Sequence, residues 1–189
     1  LVRASDNVMT VALADGWFAG YVGFHRRRNH YDGERKLRAL LRLSRADGSE
    51  SLVATDASWR VSDEGPWREA DLQMGEFYDA RREFEGLDDP RSKCAENWPG
   101  ARLSADPPGA LLESHPAEPV RATQILSARA ITEPRPGVYI FDMGQNMVGV
   151  ARARVTGPRG ARIRLRFAEA LDEKGELYTA SLRGARATD

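Results

Sequence analysis

The chain has 189 residues, of which 41% are hydrophobic, and its 28 Lys and Arg balance 28 Asp and Glu, so that the formal net charge is zero. A neutral chain exerts no overall attraction on nucleic acid or an anionic membrane, and no apolar run approaches the roughly 20 residues of a membrane span. We therefore expect no nucleic-acid or membrane partner, and the single Cys94, which cannot form an internal disulfide, favours a cytoplasmic over a secreted location.

The first half of the chain has the pattern of short strands. Segments 8–13, 37–43 and 51–56 are rich in aliphatic and β-branched residues, and a turn at Asp47-Gly48 joins the last two. The leucines of segment 37–43 also have helical spacing, but seven residues make a short helix and an ordinary strand. We predict three strands here.

Prolines mark the middle of the chain. Four of them lie between Trp98 and Pro119, where hydrophobic periodicity is weak, and this is typical of an interdomain connection. We predict a linker over residues 99–118. The chain begins without methionine and ends without a polar tail, so we expect it to be an interior piece of a longer protein.

The second half shows the clearest alternation. Segment 161–167 places apolar residues on one face and arginines on the other, segment 150–155 alternates likewise, and turn residues 157–160 lie between them. Segment 137–144 is a further β-rich run. Two β-domains on either side of the linker are therefore predicted.

Motifs for several chemistries are absent. The sequence has no phosphate-binding loop, no nucleophile elbow and no Cys/His cluster for zinc. The three histidines are predicted to be loop residues, and Asp79, Asp142 and Glu169 form no pair whose environments would separate their pKa values. We predict no catalytic residue.

The stretch Asp15-Gly16-Trp17 carries two interpretations. A wide aromatic ring beside a carboxylate suits a sugar, whose C–H face packs on the ring while hydroxyls bind oxygen atoms directly or through calcium. In the other interpretation Asp15 caps a turn and the aromatic residues fill a sandwich core. Those residues are Trp17, Phe18, Tyr21 and Phe24.

Two interpretations are also open for the run "HRRRNH" at residues 25–30. Its forked guanidinium groups are suited to gripping a carboxylate or phosphate. The alternative is a solvated loop between strands.

Five segments together resemble bacterial α-L-rhamnosidases of glycoside hydrolase family 78, in the family's order and over nearly the whole chain. They read "VALADGWFAGYVGF", "TDASWRVSDEGP", "GEFYDARRE", "PGVYIFDMGQNMVGVARARVTGPRG" and "RFAEALDEKGELYTASLRGARATD". The resemblance implies an all-β chain of two antiparallel, jelly-roll-like β-sandwich domains in tandem. Residues 1–115 would form the N-terminal, carbohydrate-binding-module-like sandwich, and residues 119–189 the truncated beginning of the next.

In such enzymes terminal α-L-rhamnose is hydrolysed with inversion by two glutamates on an (α/α)6 barrel. That barrel is absent from these residues, so the resemblance implies that this chain is inactive alone and scaffolds the barrel of its parent. The partners it implies are rhamnose-containing glycosides and that barrel. A free-standing carbohydrate-binding module and an independent hydrolase are the rival interpretations.

The resemblance also points to a sugar site. Some family members bind rhamnose, with calcium, through polar residues immediately before the Gly-Trp pair, which is the position of Asp15. It implies Asp15, Trp17 and Pro66 as carbohydrate-binding residues and Asp15 as a metal ligand, with no required cofactor other than calcium at that site. Ala14 stands where binding members have a second polar residue, and Gln145 and Asn146 are assigned a turn.

Overall fold

The computed structural model describes residues 6–23, 25–105, 111 and 113–189. Its secondary structure is almost entirely antiparallel β, with one short α-helix, α1 (Gly16–Ala19). The prediction of an all-β antiparallel chain is confirmed, and the hairpins are consistent with a β-sandwich class. Within the described residues, no helix has the length and apolar character needed to cross a bilayer.

The chain divides into two units, one of Leu1–Asp106 together with Asp189 and the other of Pro107–Thr188. The predicted domain bounds at 115 and 119 stay a prediction. The first unit contains three hairpins and a 3-10 helix at Ala80–Arg82. Its strands pair as β1 (Tyr21–Val22) with β2 (Arg27–Arg28), β3 (Leu40–Ser44) with β4 (Glu50–Ala54), and β5 (Trp67–Asp71) with β6 (Gly75–Tyr78).

The β3–β4 hairpin forms where leucine-rich sequence meets a turn. Gly48 takes a φ of 81°, which glycine adopts without strain, and the Asp47 carboxylate accepts the Ser49 N–H at 2.9 Å. The register places Leu41 opposite Val53. Strand was therefore the correct prediction for both segments, and the turn at Asp47-Gly48 is confirmed.

The β5–β6 hairpin is irregular at its open end. A bulge lies between Trp67 and Glu69, and the Trp67 and Tyr78 rings meet edge to face with centroids 5.1 Å apart. Gly75 has a φ of 91° at the turn. The aromatic pair and the turn therefore fix the two ends of this hairpin.

Residues 99–101 form backbone hydrogen bonds with residues 59–61, although we predicted from the sequence that they belong to the linker. The Val61 N–H donates to the Pro99 carbonyl at 3.0 Å, and the Ala101 N–H donates to the Trp59 carbonyl at 2.7 Å. The Phe84 and Trp98 rings pack edge to face at 4.6 Å. This part of the first unit is held by long-range bonds and ring packing.

In the described part of the second unit, one hairpin pairs β7 (Ala130–Arg135) with β8 (Val138–Asp142), and a 3-10 helix lies at Ala180–Leu182. Gly137 turns the chain at a φ of 78°. The ladder is interrupted between Thr132 and Arg135. Pro134, which cannot donate to a ladder, lies in that interruption.

Three predicted strands carry no continuous ladder in the structure. Segments 8–13, 150–155 and 161–167 are fully described and show one isolated bridge among them, at Arg166. The turn between the last two forms, since the Ala161 N–H donates to the Pro158 carbonyl at 2.9 Å. Alternation describes which face each side chain takes, whereas a strand also needs a hydrogen-bonded neighbour.

Among the described residues the buried hydrophobic side chains are Ala19 and Met74. Ala19 ends α1, and Met74 lies in the turn between β5 and β6. Gly20, directly after α1, is buried as well, and so is Pro66 at the other end of β5.

Candidate functional site

The candidate site begins with the turn into α1. Gly16, the first helical residue, has a φ of 50°, a left-handed conformation that favours glycine. Asp15 precedes the helix, and its side chain makes no capping hydrogen bond. The prediction that Gly16 permits a tight turn is confirmed, but Asp15 directs its carboxylate elsewhere.

Two arginines hold the Asp15 carboxylate. Arg28 Nη2 donates to one carboxylate oxygen at 2.8 Å, and Arg35 Nη1 donates to the other. Arg28 Nε also donates to the Ala19 carbonyl at 3.3 Å. Arg28 belongs to the "HRRRNH" run, so the carboxylate that this run grips is one of the protein's own.

Aromatic side chains also occur on α1 and in the residues that follow it. Trp17 is 54% exposed and Phe18 is 45% exposed, so neither fills a core as one interpretation required. The Phe18 and Tyr31 rings stack with centroids 6.2 Å apart, and the Arg28 guanidinium lies 5.6 Å from the Tyr21 ring centroid. Phe24 lies outside the described residues.

Asp71 fixes the end of α1 to the β5–β6 hairpin. One carboxylate oxygen accepts the Tyr21 N–H at 2.7 Å, and the other accepts the Gln73 and Met74 N–H groups at 2.8 Å each. Gly20 lies against this carboxylate so closely that a Cβ atom would overlap both Asp71 Oδ2 and the Gly16 carbonyl. Sequence reasoning missed Asp71, whose only signal is its position before a turn.

Pro66 lies away from this end of β5. It is buried, and its carbonyl accepts the Asp79 N–H at 2.9 Å. From Pro66 to Asp71 the chain runs about 16 Å along an extended strand. The structure therefore places Asp15 directly before α1 and Trp17 within it, and it does not favour Pro66 as an exposed rim. The role of Pro66 in sugar binding stays a prediction.

The residues at Asp15 do not fit a calcium ion. Calcium takes about six to eight oxygen ligands, mostly carboxylates and carbonyls. Both Asp15 oxygens already accept guanidinium hydrogen bonds, and the described residues contain no cluster of three or more His, Cys, Asp or Glu side chains able to hold a metal. A calcium ion at Asp15 would therefore compete with the guanidinium groups of Arg28 and Arg35 for the carboxylate. Asp15 as a metal ligand stays a prediction, which titration with calcium can test.

Carboxylates with clearly shifted pKa values are all held in the ionised form. Hydrogen bonds from Arg81 lower the pKa of Asp79 to about 2, and bonds from neighbouring residues lower the pKa of four other aspartates. Those four are Asp32, Asp47, Asp56 and Asp89. A general acid for glycoside hydrolysis needs the opposite shift.

The remaining candidates occupy ordinary local positions. Asp142 Oδ1 accepts the Gly144 N–H at 2.7 Å in a turn, and His115 Nδ1 lies 2.8 Å from the Ala117 carbonyl oxygen. Gln145 and Asn146 are exposed after that turn. Their assignment to a structural turn stays a prediction.

Comparison with known proteins gives two family matches. A model described as the α-L-rhamnosidase N-terminal domain matches residues 1–124, and one described as the bacterial α-L-rhamnosidase concanavalin-like domain matches residues 132–189. An α-L-rhamnosidase of Streptomyces avermitilis is 41% identical over 189 residues, which are 100% of this chain and 18% of that protein. One of an Alteromonas species is 35% identical over 189 residues, covering 100% of this chain and 20% of the relative.

Two solved structures are similar. The Streptomyces avermitilis α-L-rhamnosidase complexed with L-rhamnose has a TM-score of 0.84 at 41% identity and covers 93% of this chain and 17% of its own. The native Aspergillus terreus α-L-rhamnosidase has a TM-score of 0.82 at 34% identity. The match covers 92% of this chain and 20% of the Aspergillus chain. This chain thus spans about a fifth of these relatives.

The fold and the family matches together define the class of the chain: antiparallel β-domains of the kind described for α-L-rhamnosidases. The chain belongs to the bacterial α-L-rhamnosidase family, as its sequence motifs indicate.

Proposed function

We propose that this chain is the non-catalytic β-sandwich portion of an inverting α-L-rhamnosidase, which scaffolds an (α/α)6 catalytic barrel belonging to the same parent protein. The parent would hydrolyse terminal α-L-rhamnosyl residues of rhamnose-containing glycosides. The observation that carries the proposal is coverage: the chain matches 18% to 20% of the length of the two named curated α-L-rhamnosidases.

The chemistry of the described residues supports a non-catalytic role for this chain, with catalysis on the barrel. Inverting hydrolysis needs a protonated acid and an ionised base separated by the width of a water and a sugar ring. The aspartates with shifted pKa values all have lowered ones, with Asp79 at about 2, so they are unsuited to donating a proton near neutral pH. Their partners are local arginines, lysines, serines and backbone N–H groups, which stabilise turns.

The test compares the chain alone with a version extended by the downstream sequence of its parent. With an aryl rhamnoside as substrate, we expect no nitrophenol release from the chain alone and clear release from the extended protein. The extended protein without residues 1–189 is the matched control, and loss of its activity or stability would support scaffolding. Release by the chain alone would contradict the proposal.

A second function is supported by the exposed Trp17, namely L-rhamnose binding by a carbohydrate module. Trp17 is 54% exposed and lies two residues after Asp15 in the chain, so the same short segment carries an aromatic side chain and a polar ion-pair cluster. The similar Streptomyces avermitilis structure contains L-rhamnose. This function is the alternative to a purely scaffolding role.

Calorimetric titration with L-rhamnose separates the two functions. Saturable binding that is lost in Trp17→Ala and in Asp15→Ala would support the module, with Tyr139→Ala, an exposed aromatic of the second unit, as the control. Absence of heat in the wild-type chain would support the scaffold. Repeating each titration with calcium and with a chelator tests whether Asp15 needs the ion.

A further inference from the structure

Arg28 contacts both ends of the short helix α1. Its Nη2 donates to the carboxylate of Asp15, directly before the helix, at 2.8 Å, and its Nε donates to the carbonyl of Ala19, the last helical residue, at 3.3 Å. The same guanidinium lies 5.6 Å from the Tyr21 ring centroid. One positive group therefore binds a carboxylate and a backbone carbonyl at the same time.

Arg35 supplies a second positive charge at Asp15. Its Nη1 donates to Asp15 Oδ1, while Arg28 donates to Asp15 Oδ2. The Asp15 side chain is 17% exposed and so lies mostly out of water, where the attraction between opposite charges is stronger than at a fully solvated surface. The two arginines therefore join the start of α1 to chain positions 28 and 35.

A calcium ion at this place would need oxygen atoms that the arginines and α1 already use. Calcium takes about six to eight oxygen ligands. Both Asp15 carboxylate oxygens accept guanidinium hydrogen bonds, and the backbone carbonyls of Asp15, Gly16 and Ala19 accept backbone N–H groups at 3.0 to 3.2 Å. Ala14 has no side-chain oxygen to add. Few oxygen atoms of the described turn are therefore left to coordinate calcium.

We propose that Arg28 and Arg35 take the place of the calcium ion that the resemblance to the family implies at Asp15, so that the turn into α1 is held together without metal. The two guanidinium groups together carry the same charge as one Ca²⁺ ion. Arg28 also binds a carboxylate and a carbonyl oxygen, the two kinds of ligand that calcium takes from proteins.

Two consequences distinguish this arrangement from a calcium site. Guanidinium groups stay charged at every physiological pH, and they belong to the chain itself, so the turn depends on neither free calcium nor a chelator. Asp15, Arg28 and Arg35 all lie in the first unit, so this holds whether or not the parent protein hydrolyses rhamnosides.

Thermal melts of the whole chain test the replacement. We expect Asp15→Ala and Arg28→Gln each to lower the melting temperature by about 2 °C or more. The double variant Asp15→Ala/Arg28→Gln should lose less than the sum of the two single losses, because each single variant already breaks the same ion pair. Arg27→Gln, at the neighbouring exposed arginine of β2, is the matched control and should melt within about 1 °C of the wild type.

Arg28→Lys tests whether contact with both ends of α1 matters beyond charge. A lysine keeps the positive charge but has a single ammonium group in place of the planar fork. We expect this variant to lose at least half of what Arg28→Gln loses. Arg35→Lys should melt within about 1 °C of the wild type, because the described hydrogen bond of Arg35 to Asp15 needs one donor.

Calorimetric titration of the wild-type chain with calcium chloride gives a readout that does not depend on how a variant folds. We expect no saturable binding that requires Asp15, and the melting temperatures of the wild type and of Arg28→Gln should be the same with calcium as with a chelator.

Three results would overturn the proposal. These are saturable calcium binding that Asp15→Ala abolishes, a melting temperature of Arg28→Gln equal to that of the wild type, and losses in the double variant that equal the sum of the single ones. An Arg28→Lys variant as stable as the wild type would show that charge alone holds the turn, and would refute the contact with both ends of α1.

Discussion

The Asp71 carboxylate accepts a 2.7 Å hydrogen bond from the Tyr21 N–H, a residue 50 positions earlier in the chain. Through its other oxygen, Asp71 also closes the turn that follows β5. One side chain thus joins the residue after α1, the helix that begins directly after Asp15 and contains Trp17, to the β5–β6 hairpin. The position of the candidate sugar site depends on this junction.

Replacing Asp71 with alanine should destabilise the first unit. The change removes three partly buried backbone bonds to a charged acceptor, and we expect a loss of about 2–4 kcal/mol in the free energy of unfolding. Urea denaturation measures it, and Asp88→Ala, an aspartate outside this junction, is the control. A loss equal to that of the control would show that the junction contributes nothing.

Gly20→Ala should destabilise the same junction from the other side. The new Cβ atom would overlap the Gly16 carbonyl and the Asp71 carboxylate, so α1 or the hairpin must shift, at a cost of about 1–3 kcal/mol. Gly33→Ala is the matched control, because its Cβ would meet only the Asn29 side chain at 3.5 Å. Thermal melts that fell equally in both variants would contradict the close approach.

Calcium should leave the chain unaffected. An ion that binds only the folded state raises the melting temperature, whereas both Asp15 oxygens here are occupied by arginines. We expect millimolar calcium or a chelator to change the melting temperature by less than about 1 °C. A calcium-dependent rise that disappears in Asp15→Ala would show that the ion displaces the arginines.

Acid should weaken the first unit through Asp79. Hydrogen bonds from Arg81 lower the pKa of Asp79 from 3.8 to about 2, so its contribution is complete above the unfolded value and disappears as pH falls toward 2. In Asp79→Asn, stability should fall less steeply than in the wild type between about pH 5 and pH 2. Denaturation at a series of pH values measures the slopes, and identical slopes would refute the assignment.

Local sequence predicted the β3–β4 hairpin and the strand β8. The β3–β4 hairpin follows from leucine-rich segments flanking Asp47-Gly48, and β8 follows from the aromatic run at 137–144. Segment 161–167 has the strictest alternation in the chain and yet no ladder, with Ile163 53% exposed. Alternation is a property of one segment, while pairing requires a second one, which the pattern cannot specify.

The candidate site was likewise predictable only in part from the local sequence. The turn at Gly16 follows from the local sequence, and the resemblance to the family singles out Asp15 and Trp17. The arginines that pair with Asp15 are 13 and 20 residues away, and nothing in the spacing of "HRRRNH" shows that Arg28 turns toward this carboxylate. Long-range pairing also explains why Asp71 carried no sequence motif.

The β3–β4 hairpin has a consequence for handling the purified chain. Among the residues that the structure describes, no further strand pairs with either edge of this two-stranded sheet, and Leu40 and Leu52 are more than 60% exposed. Edges of this kind recruit strands from other molecules, and charged side chains such as Arg42 and Glu50 oppose that recruitment. Self-association should therefore begin at this hairpin and increase when those two charges are neutralised.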